Sequence, residues 1–216
     1  MKALIVYGGW EGHEPEPVAK VFEKELKARG FDVEMSGTLE AFEDLDKLKA
    51  LDVIVPNWTM GDISGEQWKA VDEAVRGGVG IAGCHGGMGD SMRGCLGWQW
   101  MTGGQFVGHP LTGEYEVRLT ETTNPITACC PNAFTYNSEQ YYMLIDPGIN
   151  VLAVTTHDYD GHKIDMPVVW TKTWGKGRVF YSNIGHKAQE FVDYQYVLEM
   201  TINGMVWAAE GKAAAK

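Results

Sequence analysis

The sequence predicts an α/β three-layer sandwich with a central mainly parallel sheet and an antiparallel extension in its second half. Two observations predict it. In the first half, short apolar runs ending in glycine alternate with amphipathic helical patterns, as in repeated β-α units with right-handed crossovers. In the second half the helical periodicity disappears, and short strand-like runs follow one another until a final helix. With 216 residues and no linker, repeat or low-complexity block, the chain reads as one domain over residues 1–216.

Ala3–Tyr7 is apolar throughout and stops at Gly8-Gly9, as expected of a strand buried on both faces. Pro15 and Pro17 suit the first turn of a helix whose Val18, Val21, Phe22 and Leu26 share one face and which stops near Gly30. Phe31–Met35 is a second strand, and Leu51–Pro56, reached through the acidic Leu39–Leu48 segment, is a third. Trp68, Val71 and Val75 mark a helix that Ser64 and Gln67 cap as a box and Gly77-Gly78 ends. Val79–Cys84 is a fourth buried strand. Glu114–Leu119, Tyr141–Ile145, Val151–Thr156, Val168–Thr173 and Val179–Ile184 form the extension and the return to the sheet. Phe191, Tyr194, Leu198, Ile202 and Met205 predict one long closing helix, and Gly211–Lys216 a frayed end.

Lys and Arg number 18 against 29 Asp and Glu, a formal charge of -11, which repels phosphate backbones and anionic headgroups. Neither nucleic acid nor membrane is therefore an expected partner, and no stretch approaches the roughly 20 apolar residues of a spanning helix. Cys84, Cys95, Cys129 and Cys130 form no CxxC pair, a pattern expected of a reduced, cytoplasmic protein.

Ligands of such sheets lie outside the carboxyl ends of the strands, which here carry Gly8–His13, Pro56–Met60 and Cys84–Gly89. Gly83-Cys84-His85-Gly86-Gly87 has the outline of a nucleophile elbow with His85 at its centre, so Cys84 should point into the strand packing. His13, His85 and His186 each follow a predicted strand, so they could converge as acid/base groups or metal ligands. Without HxH or HExxH, spacing alone says little about a metal. His157 and His162 read as exposed loop residues. Glu139 could be a base, a metal ligand or a sugar-hydroxyl acceptor, or simply an exposed turn residue. Trp10, Trp58, Trp98 and Trp100 fall in or near predicted loops, where aromatic faces stack on sugar rings, whereas Trp170 and Trp207 read as core. The glycine pairs Gly103-Gly104 and Gly175-Lys176-Gly177 match no nucleotide-binding pattern.

Four ordered stretches, Ile81–Gly86, Gly103–Pro110, Ser138–Tyr141 and Pro167–His186, resemble the ThuA-like (trehalose utilisation) family of the class I glutamine amidotransferase-like fold. The resemblance implies a flavodoxin-like sheet, with His85 where amidotransferases carry their nucleophilic cysteine and His186 near their catalytic histidine. It also implies that His109 and Glu139 share that pocket, and that glutamine amidotransferase activity itself is absent. The family is linked to catabolism of trehalose and related sugars, alongside keto-sugar intermediates. This chain departs from the pattern in having Cys84 beside the elbow histidine and a tryptophan-rich Leu96–Trp100 loop.

The expectation is a carbohydrate-processing protein, a sugar isomerase, lyase or hydrolase, using acid/base or metal-assisted chemistry on a sugar or keto-sugar. His85, His186 and Glu139 would be catalytic or would hold a divalent metal such as zinc. His13, Trp10, Trp58, His109 and Gly86 would line the pocket for a small carbohydrate. The alternatives are a non-catalytic sugar-binding or regulatory module and a Cys84-dependent hydrolase or amidotransferase. Exposed aromatics and the last helix would permit a homo-oligomer.

Overall fold

A computed structural model describes residues 1–214. The first half alternates as expected: β1 (Lys2–Gly9), α1 (Pro15–Ala28), β2 (Asp32–Ser36), α2 (Leu45–Ala50), β3 (Val53–Thr59), α3 (Gly65–Arg76) and β4 (Gly80–Cys84). Two short helices follow, α4 (His85–Gly89) and α5 (Leu96–Thr102). Then come β5 (Gly104–Leu119), β6 (Ala133–Ile145), β7 (Asn150–Tyr159), β8 (His162–Trp174) and β9 (Gly177–Ser182), and finally α6 (Ala188–Asp193) and α7 (Gln195–Ala214).

All nine strands form one sheet in the order β2-β1-β3-β4-β9-β8-β7-β5-β6. The pairs from β2 to β9 are parallel and those from β9 to β6 antiparallel. The parallel half is therefore the doubly wound 2-1-3-4-5 arrangement, with β9 in fifth place and the antiparallel strands inserted between β4 and β9 in the chain. Alternation along the buried strands feeds two cores. Ala3, Ile5, Val53, Val55 and Ala82 meet Val18, Phe22 and Leu26 of α1 and Met200 and Met205 of α7 on one face. Leu4, Val6, Ile54 and Ile81 meet Val71 and Val75 of α3 and Trp98 and Met101 of α5 on the other. The Ser64 capping box forms as expected: Ser64 Oγ accepts from Gln67 N at 3.1 Å, and Gln67 Oε1 accepts from Ser64 N at 3.0 Å.

Four expectations need correction. The tryptophan-rich Leu96–Trp100 segment is helical, part of α5, and it buries Trp98, whose Nε1 donates to Met88 O at 3.2 Å. β5 and β6 begin about ten and eight residues earlier than predicted, because bulges between Phe106 and Leu111 absorb the glycines and proline that interrupt the alternation. The closing helix is two, since the chain breaks at Tyr194 between α6 and α7. Gly211–Ala214 continues α7 rather than fraying, with Lys212 Nζ donating to Lys49 O at 2.8 Å; Ala215 and Lys216 lie outside the described residues. Among the described residues, no helix is long and apolar enough to cross a membrane.

Candidate functional site

The carboxyl ends of β1, β4 and β9 deliver three histidines to one point. After β1 a single 3-10 turn, Glu11–His13, buries the His13 ring, whose Nδ1 lies 2.7 Å from Thr59 Oγ1 at the end of β3. That approach requires a glycine opposite: a Cβ on Gly86 would sit 2.2 Å from His13 Cε1. Gly86 thus belongs to the site by making room for the His13 ring. Gly86→Ala should lower stability by about 1–3 kcal/mol, the usual cost of overpacking, read from the urea midpoint. An unchanged midpoint would mean that the His13 ring is not fixed there.

After β4 the backbone turns sharply, and His85 opens α4 at φ 47°, a left-handed conformation that costs a non-glycine residue energy. Its Nδ1 donates to Asn183 O at 3.0 Å, and Tyr181 OH donates to its carbonyl at 3.0 Å. Tyr141 stacks on the ring with centroids 4.1 Å apart. The other ring nitrogen, Nε2, faces Glu139 Oε2 at 3.3 Å. Gly185, at φ 106°, then swings the chain after β9 so that His186 Nδ1 lies 3.0 Å from His85 Nε2. Glu190 holds this turn: its carboxylate accepts from His186 N at 2.8 Å, from Ser138 Oγ at 2.8 Å and from Tyr136 OH.

The fourth group arrives from the antiparallel extension. Glu139 on β6 is carried back over the sheet by the long β5–β6 hairpin, and its Oε2 lies 3.3 Å from both His85 Nε2 and His186 Nδ1. The other oxygen, Oε1, lies 3.7 Å from Nε2 of the more exposed His109, which the β5 bulge places there. One ligand atom each from His13, His85, Glu139 and His186 lies within 4.8 Å of all the others. Of these four, His13 and Glu139 line a cleft of about 130 Å³, together with His109, Trp10, Met60, Asp90, Arg93, Phe106 and Tyr141. This is smaller than the roughly 300–1,000 Å³ of drug-sized ligand sites, so it admits the reacting end of a small polar ligand.

Electrostatics match the burial. Desolvation, reinforced by His85 and His186, pushes His13 down to about 3. Burial alone would raise the Glu139 carboxyl, but hydrogen bonds from His186 and His85 outweigh it and hold the group below the usual carboxylate range. His157 is also lowered by burial. Two neutral buried histidines bind fewer protons folded than unfolded. Chelator-treated protein should therefore lose stability steadily as pH falls below about 6.5 toward 3, measured as the urea midpoint at each pH. A flat profile over that range would contradict the buried, neutral His13.

The site thus gathers His13, His85, His109, Glu139, His186, Trp10 and Gly86. Trp58 lies elsewhere: its ring covers Gly8 and Gly61 and packs with the second core. Trp100 is exposed on α5, with its ring 6.4 Å from that of Trp174. His157 and His162 are strand residues rather than loop residues; His157 is buried with Nε2 3.2 Å from Tyr141 O, while His162 is exposed. Cys84 points into the first core as expected, and burial pushes its thiol up, away from the thiolate a nucleophile needs. Sequence reasoning passes over Thr59, Asp90, Arg93 and Glu190. Asp90 and Thr59 sit close to strand ends already marked as ligand-facing, but nothing local marks Glu190.

Over residues 2–208 the sequence matches the family described as ThuA, trehalose utilisation. The chain belongs to the ThuA family. No curated protein matches it. Among solved structures it is similar to a ThuA-like protein from Bacteroides uniformis, with 21% identity, a TM-score of 0.77, and 96% of this chain and 91% of that one covered. A ThuA-like protein from Parabacteroides merdae gives 18% identity and a TM-score of 0.77, covering 98% and 91%. The glutaminase domain of Trypanosoma brucei CTPS gives 12% and 0.57, covering 98% and 94%. At these identities the structures show the fold, which ThuA proteins share with glutamine amidotransferases. In this ThuA chain a histidine occupies the elbow.

Proposed function

We propose that this ThuA protein is a cytoplasmic carbohydrate-processing enzyme that holds one divalent ion, such as zinc, and moves a proton on a small sugar or keto-sugar. One observation carries the reading. His85 Nε2, His186 Nδ1 and Glu139 Oε2 form a triangle with edges of 3.0, 3.3 and 3.3 Å. Donors around a tetrahedral zinc at 2.0–2.1 Å are separated by roughly 3.3–3.4 Å, so the triangle fits one face of that tetrahedron. His13, the fourth member of the group, is either a closing ligand or a wall beside an open position.

A divalent ion there would act as a Lewis acid on a carbonyl or hydroxyl oxygen of the sugar. The protein groups around it divide the remaining work. Glu139 Oε2 faces the two histidines, whereas Oε1 is turned to His109 and can take a proton from a carbon beside the carbonyl. The exposed His109 then passes that proton to solvent or returns it to the neighbouring carbon. Arg93 Nε and Nη2 are held at 2.7 Å by the buried Asp90, which fixes the guanidinium at the cleft as a hydrogen-bond donor to sugar oxygens. The half-exposed Trp10, edge-on to His13 at 4.7 Å, offers a face for the ring. Four free cysteines support the reducing compartment.

The test begins with tag-free protein, stripped by chelator and dialysed against zinc. Wild type should retain one equivalent and His186→Ala far less. The loaded protein is then incubated with trehalose-type disaccharides and their keto derivatives in deuterated water. Deuterium entry beside the carbonyl, lost in Glu139→Gln, is the expected result. No retained zinc would remove the metal from the reading, and sugar binding without exchange or product would make the protein a binding module.

A further inference from the structure

The loop of residues 120–132, which joins β5 to β6 on the far side of the hairpin from the cleft, carries the adjacent Cys129 and Cys130. Adjacency alone does not align two side chains, yet both sulfurs here turn to the same place. Cys129 Sγ and Cys130 Sγ are 3.9 Å apart and lie 3.7 and 3.5 Å from one acceptor, Tyr196 O on α7. Cys129 is exposed and Cys130 half-buried. Asn203 Nδ2 donates to Cys129 Sγ at 3.8 Å, and Asn203 is itself oriented by Arg29, whose Nη1 donates to its Oδ1 at 3.2 Å. Arg29 is fixed in turn by a two-pronged pair with Glu199. The hydrogen bond between the two thiols lowers Cys129, and the same contact, with burial, raises Cys130.

Two fates are open to such a pair, and geometry separates them. Neighbouring Cα atoms are about 3.8 Å apart across a trans peptide, below the roughly 4.4–6.8 Å that disulfides span, and a strained disulfide is easily reduced. Closing to the S–S length of about 2.04 Å would also require the two sulfurs to move well inside their 3.9 Å separation. A centre that binds two sulfurs at once needs no such collapse. We propose that Cys129 and Cys130 form a two-thiolate clamp for a soft, thiophilic centre of the trivalent-arsenic type, separate from the histidine–glutamate cleft. With a monosubstituted arsenical oxide, Cys129 attacks arsenic first and Cys130 closes the ring. Two As–S bonds form, the oxide oxygen leaves as water with both thiol protons, arsenic stays trivalent and sulfur is not oxidised.

The probe is phenylarsine oxide, one equivalent added to the native chain and followed by intact mass. Wild type should gain one arsenical less one water. That adduct should survive excess glutathione, a monothiol, and be stripped by 2,3-dimercaptopropanol. Cys129→Ser and Cys130→Ser should each lose the glutathione-resistant adduct, leaving the remaining cysteine of the pair and Cys95 as separate thiols whose single As–S bonds glutathione competes away. Stripping of the wild-type adduct by glutathione, or a resistant adduct in either single variant, would overturn the clamp. The wild-type arm decides even if a variant folds poorly.

Discussion

Replacing His85 with alanine should weaken zinc binding by more than about 100-fold, beyond the 10–100-fold typical of losing a supporting contact to a ligand. His85 is the hinge of the donor triangle: its Nε2 is 3.0 Å from His186 Nδ1 and 3.3 Å from Glu139 Oε2. Its removal also strands Asn183 O and opens the stacked face of Tyr141. Thr59→Val supplies the internal scale, because it withdraws only the hydroxyl that holds His13 at 2.7 Å. Competition with a chromogenic chelator measures both. If His85→Ala lost no more affinity than Thr59→Val, the triangle would be a hydrogen-bonded cluster around a proton instead of a metal face.

Trp170→Ala should cost about 3–5 kcal/mol of folding stability, a large share of the roughly 5–15 kcal/mol of a typical domain. Trp170 is fully buried at the centre of β8, the first antiparallel strand beside β9, and its ring lies 4.5 Å from that of Tyr181. Gly103 and Gly104 press directly on it, since a Cβ on either would come within 3.1 Å of the indole. The indole Nε1 donates to Thr102 O at 2.9 Å, beside a Thr102 hydroxyl that already lacks a partner among the described residues. Alanine would leave both a cavity and an abandoned carbonyl. Urea unfolding gives the number, and a loss below about 1.5 kcal/mol would show that the seam between the two half-sheets collapses to fill the gap.

The parallel half was legible because its strands are buried on both faces and stop at glycines. The same punctuation exposed His85 and His186, each delivered by a strand end followed by a turn that only a glycine-rich segment can make. Glu139 was a candidate from the sequence, with an exposed turn residue as the other reading, and only the family resemblance put it in the pocket, because on β6 it looks like any polar residue before aromatics. The length of the hairpin was hidden because Gly108, Pro110 and Gly113 interrupt the alternation, and bulges rather than turns accommodate the first two. Helix α5 was hidden by Gly97 and its tryptophans, which read as a loop until Trp98 is seen filling the second core. Glu190 and Asp90 were illegible for a deeper reason. Their partners lie across the fold or at the cleft, and a carboxylate's role is defined by what it meets there.

No contiguous stretch of this chain contains the donor set: His13 precedes α1, His85 follows β4, Glu139 stands on an inserted hairpin, and His186 follows the last strand. An unfolded chain has no comparable means of gathering them, so an ion held by this set would favour the folded protein. Occupancy and folding are therefore thermodynamically linked, and zinc at 100 times its dissociation constant would add about 2.7 kcal/mol to the folded state. With such an ion bound, the insertion between β4 and β9 would become a clasp, its hairpin unable to lift independently of the sheet beneath it.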